Sequence, residues 1–178
     1  MYKILVVDDE SIEREGISFL IEKYKFPLEV AQATNGKTAL EYMRTHPIDI
    51  LLTDVKMPQM DGLELARHTF EKYPDVRILV FSAYGEFEFA KKAMAAQAVS
   101  YLLKPIEVDE FQRVMAQILA RCDELAEKKK DEQQRGEEYR QQLLFRLVTG
   151  TGLGKAHITE EWFSGQTLCL LHVQTEND

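Results

Sequence analysis

Ile50-Leu51-Leu52-Thr53-Asp54 is a short apolar run that stops on a carboxylate. The same pattern appears earlier as Ile4-Leu5-Val6-Val7, followed by Asp8-Asp9. It returns as Ile78-Leu79-Val80-Phe81 before Ser82, and as Val99 to Leu103 before Lys104. Near-continuous apolar runs of this length fit strands buried on both faces. The spacing predicts strands over 3–8, 28–33, 48–53, 77–82 and 99–103.

Helical periodicity fills the gaps. Ile17, Leu20, Ile21 and Tyr24 form one set. After the turn signal Asn35-Gly36, Ala39, Leu40 and Met43 form another, which stops before Pro47. Leu63, Ala66, Arg67 and Phe70 form a third, a fourth helix is predicted over 86–96, and a fifth starts near Glu107. Repeated β-α alternation argues for a parallel sheet with helices on both faces. Right-handed crossovers leave few topologies. A doubly wound, flavodoxin-like strand order 2-1-3-4-5 sets strands one and three side by side at the switch point.

In such a sheet the strand C-termini share one edge, where ligands bind. Asp8, Asp9, Asp54, Ser82 and Lys104 then share a pocket of three carboxylates, a hydroxyl and an ammonium. That set suits a hard cation and a phosphoryl group. Mg²⁺ takes one or two carboxylates and keeps several waters, so Asp9 and Asp54 would be ligands and Asp8 would hold a coordinated water. Each acid alone also fits a helix cap. The joint spacing favours the shared pocket.

These residues carry a resemblance. Asp8-Asp9, Asp54-Val55-Lys56-Met57-Pro58-Gln59-Met60-Asp61-Gly62, Ser82-Ala83 and Tyr101-Leu102-Leu103-Lys104-Pro105 resemble, in order and spacing, the receiver domain of two-component response regulators over roughly residues 2–120. The resemblance implies that Asp54 accepts a phosphoryl group from a sensor histidine kinase. It implies Mg²⁺ on Asp8, Asp9 and Asp54 with the backbone carbonyl of Lys56. Ser82 and Lys104 would contact the phosphoryl oxygens, with Ser82 and Tyr101 as the switch pair. Lys56 and Tyr84 would tune water access, and Pro58, Gly62 and a cis Pro105 would be structural. The stretch Ser82-Ala83-Tyr84-Gly85-Glu86-Phe87-Glu88-Phe89-Ala90 is similar to YesN-type receivers, whose full-length members carry an AraC-type helix-turn-helix domain. At least one of Phe87 and Phe89 is assigned to packing.

Other features bound the function. A formal net charge of -8 argues against nucleic-acid binding by this stretch itself. Lys128-Lys129-Lys130 meets Asp131-Glu132 at once and reads as a solvated helical face. Cys122 and Cys169 form no disulfide framework, and His46, His68, His157 and His172 show no ligand spacing. No apolar run approaches the ~20 residues of a membrane span, so a cytoplasmic location is expected. Gly150-Thr151-Gly152-Leu153-Gly154-Lys155 lacks the leading glycine and the trailing Ser or Thr of a phosphate-binding loop. A haloacid-dehalogenase-type phosphatase needs a second aspartate where Lys56 stands.

From Phe111 to about Val148 no proline occurs, and Gly136 is the only glycine. Ile118, Cys122 and Leu125, then Tyr139 and Leu143, mark a heptad seam that is apolar at its ends and polar between. The expected organisation is a receiver at 1–120, a helical linker or coiled coil at 121–148, and the start of a second domain at 149–178. The leading function is a phosphorylation-switched receiver whose DNA contact belongs to a C-terminal domain outside the sequence. A homodimer is expected through the 86–96 helix, the 99–103 strand, the helix after it and its extension. The chain is not expected to be an enzyme. The alternatives are a metal-dependent phosphohydrolase using Asp54 and a module that never takes phosphate.

Overall fold

The computed structural model describes residues 1–83 and 99–149. The elements are β1 (Tyr2–Val7), α1 (Ser11–Lys23), β2 (Leu28–Ala33), α2 (Gly36–Thr45), β3 (Ile50–Asp54), α3 (Gly62–Lys72), β4 (Arg77–Ala83), β5 (Val99–Lys104) and α4 (Val108–Thr149). The predicted helix over 86–96, with Tyr84, Phe87 and Phe89, lies outside the described residues, as does everything from 150 onward. The chain divides into two compact units, Met1–Lys130 and Asp131–Asp178. The described part of the second is the end of α4, where Gln134 Nε2 donates to Glu138 Oε1 at 3.1 Å. All that follows concerns the first unit.

The five strands lie in the order β2-β1-β3-β4-β5, and every neighbouring pair is parallel. Alternate side chains of a strand face opposite sides, so each strand feeds two cores. Ile4, Val6, Ile50, Leu52, Leu79, Phe81 and Leu102 pack with Ile17 and Ile21 of α1 and with Phe111, Met115 and Ile118 of α4. Leu5, Val7, Leu51 and Val80 pack on the other side with Ala39 and Met43 of α2 and Leu65 and Ala66 of α3. Two-sided burial is why the strands are apolar at almost every position.

Two expectations need correction, and the turn signal Asn35-Gly36, which follows the end of β2, also starts α2. The Asn35 side chain accepts from Thr38 N, and the Thr38 side chain bonds back to the Asn35 backbone in a capping box. Phe70 is exposed, and the buried side chains of α3 past Gly62 are Leu65, Ala66 and Thr69. Ile118 and Cys122, the front of the heptad seam, are buried in the unit's own core and cannot form a seam with a second copy. Burial also pushes the Cys122 thiol up to about 11, away from reactive thiolate. Among the described residues, no helix is long and apolar enough to cross a membrane.

Candidate functional site

Strand register assembles the site. Val7 pairs with Thr53, so the next residues, Asp8 and Asp54, leave β1 and β3 side by side. Asp54 pairs with Phe81, and Ala83 pairs with Lys104, which sets Ser82 and Lys104 along the same edge. One carboxylate oxygen from each of Asp8, Asp9 and Asp54 lies within 4.8 Å of the other two. Asp8, Asp54 and Ser82 are buried, and Asp9 is exposed.

Lys104 is the counter-charge. Its Nζ lies 3.2 Å from Asp8 Oδ2 and 3.2 Å from Asp54 Oδ1. It also sits 4.2 Å from the centroid of the buried Phe81 ring, a cation–π contact that steadies an ammonium out of water. The Lys104-Pro105 bond is cis. Burial raises the Asp54 pKa, Asp8 adds to the rise, and Lys104 opposes it without cancelling it. Burial works against the Lys104 ammonium, but Asp54 and Asp8 together outweigh it, so its pKa is raised as well. The two shifts share a sign because one cation serves several acids. Asp54 is left under-compensated while Lys104 is over-supplied.

Asp8 and Asp54 are held by hydrogen bonds from the loops and strands around them. Glu10 N donates to Asp8 Oδ1 at 2.8 Å, so Asp8 braces the β1–α1 loop rather than capping a helix. Arg14 Nη1 donates to the Asp8 carbonyl at 2.7 Å. Thr53 Oγ1 donates to the Asp54 carbonyl at 3.0 Å, and Gly62 N donates to Val55 O at 2.9 Å. A side chain at Gly62 would place its Cβ 1.8 Å from the Asp54 carbonyl oxygen, so only glycine fits there. Asp61 caps α3 by accepting from Glu64 N at 2.7 Å. Gln59 takes the left-handed conformation, φ 71°, in the loop that folds back from Asp54.

The donor set fits a small hard cation. Three carboxylates converge, one is exposed, and the burial cost of ionised Asp54 is what a dication would offset. Of the residues singled out from sequence, Asp8, Asp9, Asp54 and Lys104 meet at one point, and Ser82 shares their edge. Lys56 is exposed two residues beyond Asp54, and Pro58 is exposed in the same loop. Tyr101 is half-buried on β5 opposite Val80 and packs with the core on the α2 and α3 side. Arg14 and the Phe81 ring escaped the sequence reading. Arg14 is a charged residue inside a helix and Phe81 an apolar residue inside a strand, with no local signal of a second task.

The sequence profile of the response regulator receiver domain matches residues 4–116. The transcriptional regulatory protein YesN of Bacillus subtilis (strain 168) is 40% identical over 121 residues, which cover 67% of this chain and 33% of that protein. The chain therefore spans less than two thirds of this relative. The REC domain of AraT, a response regulator from Geobacillus stearothermophilus, superposes with a TM-score of 0.63 at 38% identity, covering 72% of this chain and 98% of that one. A two component transcriptional regulator AraC from Clostridium phytofermentans ISDg gives a TM-score of 0.64 at 33% identity, covering 70% and 97%.

Proposed function

This chain belongs to the response regulator receiver domain family, and from that premise we propose that Asp54 is the acceptor of a phosphoryl group from a sensor histidine kinase. The observation that carries the reading is the meeting of Asp54 with two further acids and one ammonium at the carboxyl edge of the sheet. A carboxylate is a weak nucleophile, so position and charge neutralisation must carry the transfer. β3 and the Gly62 loop fix the backbone of Asp54. Lys104 offers a positive charge beside its carboxylate, and Ser82 a hydroxyl on the same edge.

Asp8, Asp9 and Asp54 would hold Mg²⁺, with the Lys56 carbonyl as a further ligand. When bound, the ion supplies positive charge to the phosphoryl oxygens. Lys56 and Tyr84 are read as residues that tune water access. Ser82 and Tyr101 are read as the switch that carries the change in charge at Asp54 to the outer face of β5. Proline at 58 and 105 and glycine at 62 shape the loops around the pocket.

The output is read as transcriptional regulation, the term that two of these relatives' names carry. A DNA-binding domain beyond the receiver and a cytoplasmic location are part of the same proposal. The division into a receiver over 1–120, a helical linker over 121–148 and a further domain beginning near 149 belongs to the same reading. So does a homodimer through the segment 86–96, β5 and α4, strengthened by phosphorylation. The burial of Ile118 and Cys122 restricts that pairing to other positions of α4. The competing phosphohydrolase reading is separated by stoichiometry. Incubation with a small phosphodonor should give labelling that saturates near one per chain, without turnover of a phosphomonoester. Sustained turnover would overturn the receiver reading.

A further inference from the structure

We propose that Arg14 is a positioning residue for the acid pair, fixing the Asp8–Asp9 peptide so that Asp9 faces the metal site. The inference rests on the reading of Asp8, Asp9 and Asp54 as a Mg²⁺ site. Asp9 is exposed, and among the described residues it accepts no hydrogen bond. No hydrogen bond to its own side chain therefore aims it. What aims it is the peptide that precedes it, whose carbonyl is that of Asp8. A peptide unit is planar, so fixing that carbonyl also fixes the direction in which the Asp9 backbone leaves.

The Asp8 carbonyl lies 2.7 Å from Arg14 Nη1, a charge-assisted hydrogen bond. The guanidinium is itself held. Arg14 Nε donates to Gln32 Oε1 on β2 at 3.3 Å. Gln32 Nε2 donates to Ser18 Oγ at 3.1 Å, and Ser18 Oγ donates to the Arg14 carbonyl at 2.8 Å. The chain of bonds runs from α1 to β2, back to α1, and ends on the loop that carries the acids. Asp8 N donates to Ala33 O at 3.3 Å, and Asp8 Oδ1 accepts from Glu10 N at 2.8 Å. Together these bonds leave Asp9 as the residue of the pair whose direction depends on the Arg14 contact.

Charge and position act in opposite directions, which makes the inference testable by sign. A guanidinium near the pocket repels a dication, so losing its charge alone would tighten Mg²⁺ binding. Losing the peptide's anchor would weaken it. Groups that orient metal ligands from behind typically change affinity about 10–100-fold. The geometry assigns the larger effect to position. Because the pocket is partly open to water, a weakening of roughly tenfold is expected.

The experiment titrates Mg²⁺ into the full-length chain and its variants, following backbone amide resonances. In Arg14→Ala the metal-free Glu10 amide should shift and Mg²⁺ affinity should fall by roughly tenfold. Gln32→Ala removes an exposed neutral partner, so folding is safe and charge is kept. It should shift Glu10 in the same direction and weaken Mg²⁺ by less. Arg14→Lys, which keeps the charge but not the two-pronged bond, should restore affinity only in part. Unchanged or tighter Mg²⁺ binding in Arg14→Ala, or no change in Gln32→Ala, would overturn the assignment. Failure of the wild-type chain to bind Mg²⁺ would instead sink the proposed function.

Discussion

At the carboxyl ends of the strands, Asp8, Asp9 and Asp54 crowd around one ammonium, Lys104. At the amino ends the acids have separate partners, while the buried Nε of Arg77 has no hydrogen-bond partner among the described residues. Tyr2 Oη donates to Asp123 Oδ1 at 2.6 Å, Lys129 pairs with Asp75 at 2.8 Å, and Lys3 pairs with Glu29 at 3.1 Å. Asp49 accepts from Lys3 N at 2.7 Å through its side chain and from Arg77 N at 2.9 Å through its carbonyl. The same sheet therefore has one edge with an excess of negative charge and one edge whose acids each have a partner of their own. Acids already matched one to one gain little from an added cation. The crowded edge keeps a charge imbalance that a bound ion would relieve, and the buried core beneath it meets that cost.

The sharpest way to break the contrast is at Asp9. Asp9→Ala should abolish Mg²⁺ binding and labelling while leaving the metal-free fold intact, because Asp9 is exposed. Calorimetric titration with Mg²⁺, paired with a melting curve, checks both halves. Lys104→Met should be next in size. It leaves buried Asp8 and Asp54 facing each other without their ammonium, and stability should drop by about 1–3 kcal/mol in urea unfolding, reduced from the cost of a deeply buried pair because Lys104 is partly open to water.

Asp54→Asn should act in the opposite direction and raise metal-free stability near neutral pH. The folded pKa of Asp54 is raised, first by burial and then by Asp8. Between the ordinary carboxylate pKa and that raised value, the folded chain keeps a proton that the unfolded chain has lost. Stability from this group is thus present at low pH and lost as pH rises through that window. The advantage of Asp54→Asn should be fullest above the window and vanish below it. Thermal melts of both proteins across acidic pH would show this.

At the matched edge the effects should be smaller and local. The hydrogen bond to Asp123 pushes the Tyr2 phenol up to about 12. In Asp123→Ala, titration by ultraviolet absorbance should show Tyr2 falling back towards the ordinary value of about 10. Mg²⁺ binding should not change.

The strand order and the four residues that meet at the site were legible because each lies at a point where an apolar run stops. Register then forces strand ends together, so linear spacing becomes spatial proximity. Long α4 was legible from the absence of proline. Its burial was not, because Ile118 and Cys122 fit both a coiled-coil seam and a core stripe, and only packing into the core with the sheet and α1 decides between them. Phe70 misled for a similar reason, since helical spacing names a face without fixing its rotation. Arg14, Gln32 and Ser18 were invisible because their partnership depends on α1 lying beside β2. The Tyr2–Asp123 and Lys129–Asp75 contacts join residues too distant in sequence for any local pattern.

The most direct test is the intact mass of the wild-type chain and of Asp54→Asn after incubation with a small phosphodonor and Mg²⁺. One added phosphoryl group per wild-type chain, absent from Asp54→Asn and absent when Mg²⁺ is chelated, is the expected result. Equal labelling of the two proteins, or no labelling of the wild type, would contradict the assignment of Asp54 as the acceptor.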